Sequence, residues 1–166
     1  MLYRLYTPQD FPQLYAIEEI CFQPPFRFGR RYMQRLVNSP NGATWIAEVA
    51  GRMAGFAIVE WMRGTDGAVA YIQTIEVAPE WRKQGVGAEL LRRIEGSARS
   101  ADAEAIWLHV DAENADASRV YRAGGYVQEG MEEDYYAPGR AAAIYAKPLR
   151  IEAVRLQQSA LAARRG

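Results

Sequence analysis

The chain has a single cysteine, Cys21, among 166 residues, so no disulfide can form within it and a reducing compartment is its natural setting. A catalytic thiol has little support either. Cys21 lies between Ile20 and Phe22 near the end of an apolar helical pattern, where a buried, inert thiol is expected. Excess charge of either sign is also missing: Lys+Arg and Asp+Glu both number 20, so no global field favours nucleic acid or an anionic membrane surface. The N-terminus MLYRLYTPQD lacks a signal peptide's apolar stretch, and no run approaches the ~20 apolar residues of a membrane span. These absences predict a soluble, cytoplasmic protein without nucleic-acid or membrane partners.

Apolar and aromatic residues are plentiful, which argues against disorder, and the length suits one domain with a sizeable core. LYRLY alternates as an edge strand. TPQD then starts a helix, with Thr7 as N-cap, Pro8 in the first turn, and Phe11, Leu14, Tyr15, Ile17 and Ile20 on the buried face. QPPF stops it, a short helix follows from about Arg30 to Val37, and NSPNG turns the chain. ATWIAEVA, MAGFAIVEW and VAYIQTIEV read as three strands separated by GR and RGTDG. A longer helix is expected from about Gly85 to Ser100, then the strand EAIWLHVDA, a short helix ADASRVYRAG closed by Gly124, and the strands GYVQEGMEE and AAAIYAKPL. The order predicts an α/β (α+β) domain, a mixed sheet flanked by helices, antiparallel in the meander and parallel across the long-helix crossover. The domain is expected over 1–149. The tail IEAVRLQQSALAARRG has helical periodicity and makes 150–166 a C-terminal helical extension.

The stretch RKQGVGAELL, Arg82 to Leu91, sets two glycines behind two cations at the start of that longer helix. Glycines let backbone N–H groups approach a ligand closely, and a helix N-terminus adds partial positive charge, so the segment reads as an anion site. It is not a dinucleotide fingerprint, because position 90 is Leu where G-x-G-x-x-G needs its third glycine. It is not a Walker loop either, for want of Gly-Lys-Ser/Thr. ATP and NAD are poor candidates.

VAPEWRKQGVGAELL resembles the R/Q-x-x-G-x-G/A segment of the GNAT superfamily of N-acetyltransferases, and NADASRVYRAGGY (Asn114 to Tyr126) resembles that family's second signature, N-x-x-A-x-x-x-Y-x-x-x-G-F/Y. QPPF, IEVAPEWRKQGVG and DYYAPGRAAAIYAKPL are further similar to the ribosomal-protein alanine N-acetyltransferases. The resemblance implies a splayed mixed sheet of about seven strands with about four helices, and acetyl-CoA as donor, with no metal. By that likeness Arg82, Lys83, Gln84, Gly85, Val86, Gly87 and Ala88 would cradle the pyrophosphate, and the edge Ile75-Glu76-Val77 would pair with pantetheine. A backbone N–H on that edge would polarise the thioester carbonyl. Asn114 would bond the cofactor, or cap the short helix, or both.

Tyr121, at the signature tyrosine, would protonate the leaving thiolate. For the base, the related enzymes carry a glutamate where this chain has His109, its only histidine. Ile106, Leu108 and Val110 alternate on one face, so Trp107, His109 and Asp111 share the other. Glu76 and a water chain are rival bases. A histidine, with an ordinary pKa of about 6.5, suits an α-amine of about 7.7–8.0 better than a lysine of about 10.4. Phe26, Tyr135 and Tyr136 are candidate walls of a peptide groove. The acceptor is expected to be a protein N-terminus and the chain a monomer or homodimer. A small-molecule amine acetyltransferase and a non-catalytic acyl-CoA sensor are the competing readings.

Overall fold

Alternation and turn residues build the sheet around a single crossover. In a computed structural model, which describes residues 1–150, β1 (Leu2–Leu5) leads through a 3-10 turn at Pro8–Asp10 into α1 (Phe11–Cys21) and α2 (Arg30–Val37). A meander follows, β2 (Gly42–Val49), β3 (Arg52–Gly64) and β4 (Gly67–Val77). Then come α3 (Val86–Ser100), β5 (Ala103–Asp111), α4 (Ala115–Ala123), β6 (Val127–Ala137) and β7 (Arg140–Pro148). The sheet order is β1-β2-β3-β4-β5-β7-β6, antiparallel everywhere except β4–β5. The seven strands, four helices and mixed sheet are those expected. Of the extension expected over 150–166, residues 151–166 lie outside the described residues.

The sheet divides two cores. On one side Leu90, Leu91, Ile94 and Ala98 of α3 pack on Val59, Ala70, Ile72, Ile106 and Leu108. On the other, Phe11, Leu14 and Ile17 of α1 with Met33 and Leu36 of α2 cover Ile46, Phe56 and Ile58. Each such buried Val, Leu, Ile, Phe or Met side chain contributes roughly 1.5–3 kcal/mol. Where α4 ends, a Cβ on Gly124 would come within 3.0 Å of Leu91, so a glycine lets this helix close onto α3. Gly124 closes the helix as expected, and the residue in the left-handed region is the next one, Gly125, at φ +92°.

Two irregularities position the site. First, β4 and β5 pair only from Ala68–Ala103 to Tyr71–Trp107; beyond Tyr71 the strands diverge, leaving a V-shaped cleft in the sheet. Second, Val59 faces Ile72 while Ile58 faces Thr74, so Gln73 is an extra residue in β4, a bulge. The bulge resets the alternation. Ala70 and Ile72 join the α3 core, whereas Thr74 and Glu76 face the α1 side with their partners Ile58 and Phe56. Tyr71 and Glu76, an odd number of residues apart, thereby share a face. The last hairpin is also longer than its sequence pattern suggests: β6 runs on through Asp134, Tyr135 and Tyr136, which bulge out opposite β7 and bring both tyrosines to the cleft. No helix among the described residues is long and apolar enough to cross a membrane.

Candidate active site

The loop between β4 and α3 supplies one half of the site. Gly85 caps α3 in the left-handed region, φ +82°, and Lys83 before it is also left-handed at φ +60°. Among the described residues, the N–H groups of Lys83 through Ala88 find no acceptor; the first such bond of the helix is Glu89 N–H to Gly85 O at 3.1 Å. Six consecutive unpaired donors at a helix N-terminus form a nest for an anion. The side chains do other work. Arg82 Nε donates to Val77 O at 3.0 Å, clasping the end of β4, and Gln84 Nε2 donates to Glu80 O at 3.1 Å. The expected cradle is therefore a backbone device, with Arg82 committed elsewhere.

Beside the loop, β4 from Ile72 to Val77 has no partner on its β5 side, so Ile75 and Val77 offer a free strand edge. Asn114 caps α4, its Oδ1 accepting from Ala117 N at 3.1 Å, which leaves the amide nitrogen available. Tyr121 lies in α4, buried, against Tyr126 and Tyr145. Its hydroxyl has no hydrogen-bond partner among the described residues, and burial, with Tyr136 nearby, raises its proton affinity.

The other half is aromatic. His109 stacks on Tyr135 with ring centroids 4.2 Å apart and planes 9° from parallel. Trp107 lies 5.2 Å from the imidazole, and Tyr136 joins Tyr135 to Phe26 of the QPPF loop. So Phe26, Tyr135, Tyr136 and His109, far apart in sequence, do converge. Tyr71, at the vertex of the cleft, has its hydroxyl 2.9 Å from His109 Nδ1. Burial and the neighbouring Tyr135 keep the Tyr71 phenol firmly protonated. The other ring nitrogen, Nε2, is buried without an aligned hydrogen bond, although Glu132 Oε2 stands 2.8 Å away. No hydrogen bond is aligned between them, and the contact is an ion pair only when both ring nitrogens carry a proton. Nearby, Asp111 is engaged by Arg140 at 2.8 Å, and Arg140 also pairs with Glu113 and covers Phe26.

Glu76 is placed differently from His109. It is almost fully buried, accepts from Thr74 Oγ1 at 2.9 Å, and faces Glu18 of α1, itself bonded to Phe28 N–H at 2.7 Å. Burial first, then the Glu18 carboxyl bonded to it, pushes Glu76's pKa well above the ordinary carboxylate range. One oxygen of each, Glu18 Oε2 and Glu76 Oε1, is buried without a hydrogen-bond partner, a need that a proton shared between the two carboxyls would meet. Cys21 adjoins this pair, its thiol 3.6 Å from Val77 O, and burial pushes its pKa up. It is half-buried rather than the fully buried thiol its sequence context suggests.

Tyr71, Glu132 and Glu18 are absent from the sequence reading. Nothing local marks them: Tyr71 meets His109 through a parallel register, and Glu132 through two antiparallel registers. A surface groove of about 790 Å³, lined by residues that include Trp45, Trp61, Arg92 and Arg93, shares no residue with the cleft.

The unpaired N–H groups and the free strand edge can seat an anionic ligand, and the imidazole has a nitrogen without a hydrogen-bond partner. Residues 11–126 match the model of the acetyltransferase (GNAT) family, and the chain belongs to that family. It is 32% identical over 130 residues to the [ribosomal protein bS18]-alanine N-acetyltransferase of Escherichia coli K12, covering 76% of this chain and 81% of the relative. The crystal structure of the E. coli ribosomal-protein-S18-alanine N-acetyltransferase superposes with a TM-score of 0.78 at 24% identity, covering 90% of this chain and 94% of that one. Arabidopsis thaliana NAA60 in complex with acetyl-CoA gives 0.77 at 20% identity, covering 89% and 97%. The chain is thus an acetyltransferase of a family whose cofactor is acetyl-CoA.

Proposed function

We propose that the chain acetylates the α-amino group of a cytoplasmic protein N-terminus by direct attack in a ternary complex. The observation that carries this is His109, nine-tenths buried, with one ring nitrogen bonded to Tyr71 and the other unused. In the tautomer whose Nδ1–H donates to the Tyr71 hydroxyl, one of the two that the contact admits, Nε2 keeps a lone pair. A nucleophile's base oriented by a third group is the arrangement that general-base catalysis requires.

The nest of Lys83 to Ala88 fits the pyrophosphate of coenzyme A, and the edge at Ile75 and Val77 fits its pantetheine amides. Bound there, acetyl-CoA supplies the thioester carbon that the amine attacks. His109 Nε2 takes one proton from the acceptor ammonium, freeing the nucleophile, and passes it to solvent. The second N–H proton, released as the amide forms, goes to the departing thiolate through Tyr121, whose raised proton affinity suits a donor. Glu76, already holding a proton with Glu18, is the poorer base at neutral pH. Phe26, Tyr135 and Tyr136 line the approach for the first residues of a peptide, on the face opposite the α3 core.

CoA release measured against a panel of N-terminal peptides, lysine peptides and small amines tests the reading. Turnover is expected for N-terminal peptides. Turnover of small amines alone overturns the peptide assignment, and cofactor binding with no thiol release for any amine makes the chain a sensor.

A further inference from the structure

Glu132 is the one feature of the cleft to which neither the fold nor the base assigns a task. It lies on the edge strand β6 with half its side chain exposed, yet it aims a carboxylate oxygen at the buried Nε2 of the only imidazole. Among the described residues no lysine or arginine pairs with it; Arg140, close by, is held by Asp111 and Glu113. The tyrosines around it are no source of charge, since Tyr71 and Tyr136 are held protonated by burial.

With the proton on Nδ1, the Nε2 lone pair and the Glu132 oxygen face each other across 2.8 Å. Two acceptors at that distance repel unless a donor joins them. A primary ammonium carries three N–H donors and one positive charge, so it satisfies both atoms together. We propose that Glu132 and His109 Nε2 form the receptor for the acceptor's α-ammonium, with Glu132 as its charge-bearing docking group. This deepens, and rests on, the acetyl-transfer reading. Docked there, the ammonium gives one proton to Nε2 and becomes the neutral amine. The imidazolium so formed is then paired with Glu132, whose exposed side opens to solvent for release of the proton.

Steady-state kinetics of Glu132→Gln and Glu132→Lys with an N-terminal peptide acceptor test this. At pH 7 the acceptor KM should rise by about tenfold for Gln, the loss of one charge-assisted hydrogen bond, and further for Lys, with the acetyl-CoA KM unchanged. The loss should shrink as pH rises past about 8, where the α-amine is neutral without help. A purely structural residue would give a loss independent of pH, which overturns the proposal. So does an acceptor KM in Glu132→Lys that stays near wild type while the wild-type chain turns over normally. A wild-type chain that releases no CoA with any N-terminal peptide overturns this proposal together with the acetyl-transfer reading.

Discussion

The two halves of the cleft are built on different principles. The proposed donor half, Lys83 to Ala88, is a run of backbone N–H groups from one segment, with Arg82 just before it clasping Val77 O. The acceptor half is all side chains, drawn from β4, β5, β6 and the α1–α2 loop: Tyr71, His109, Glu132, Tyr135 and Phe26. A backbone nest tolerates exchange of side chains but not loss of its glycines. A side-chain cluster is rigid in identity and changes its chemistry with each residue. One fold can therefore keep its donor and vary its acceptor.

The sharpest way to break the donor half is to fill it. In Gly87→Trp the added Cβ meets nothing closer than Val77 Cγ2 at 3.7 Å, so the chain should fold, while the indole occupies the space before the nest. The acetyl-CoA Kd should rise by about two orders of magnitude, the worth of one or two charge-assisted hydrogen bonds. Calorimetric titration reads it directly, and an unchanged affinity would remove the cradle from the account.

A smaller effect separates Glu76 from the acceptor chemistry. Its folded pKa is raised, so the stability linked to its proton is fully present below the unfolded carboxylate value and is lost as pH rises through the folded one. Glu76→Gln mimics the protonated form permanently. Melting temperatures of variant and wild type should converge near pH 4–5 and separate toward pH 8–9 with the variant the more stable, by about 2–4 °C per kcal/mol. Parallel melting curves across that range would mean that Glu18 and Glu76 share no proton.

The same contrast explains what the sequence reveals. The nest is legible because it is local: Gly-x-Gly before a helix says what its backbone does, and Asn114 before ADASRVY announces a cap. His109 is legible by its position relative to Asn114. Tyr71 is not, because a parallel register over four pairs decides that it meets His109. Glu76 is misleading for a related reason. Strict alternation sets it on the face opposite Tyr71, and only the bulge at Gln73 turns it toward α1 and Glu18. Glu132 reaches His109 by way of β7, two strand pairings removed in the sheet. Long-range registers of this kind leave no mark on composition or spacing.

The central claim, that His109 Nε2 is the base held by Tyr71, is tested most directly by the pH–rate profile of His109→Ala at saturating acetyl-CoA. We predict that turnover of an N-terminal peptide falls by roughly 10²–10⁴-fold with acetyl-CoA affinity intact. The profile should lose the limb set by the imidazole and keep only the one set by the acceptor ammonium. A variant that retains the wild-type profile and rate would place the base elsewhere and contradict the account.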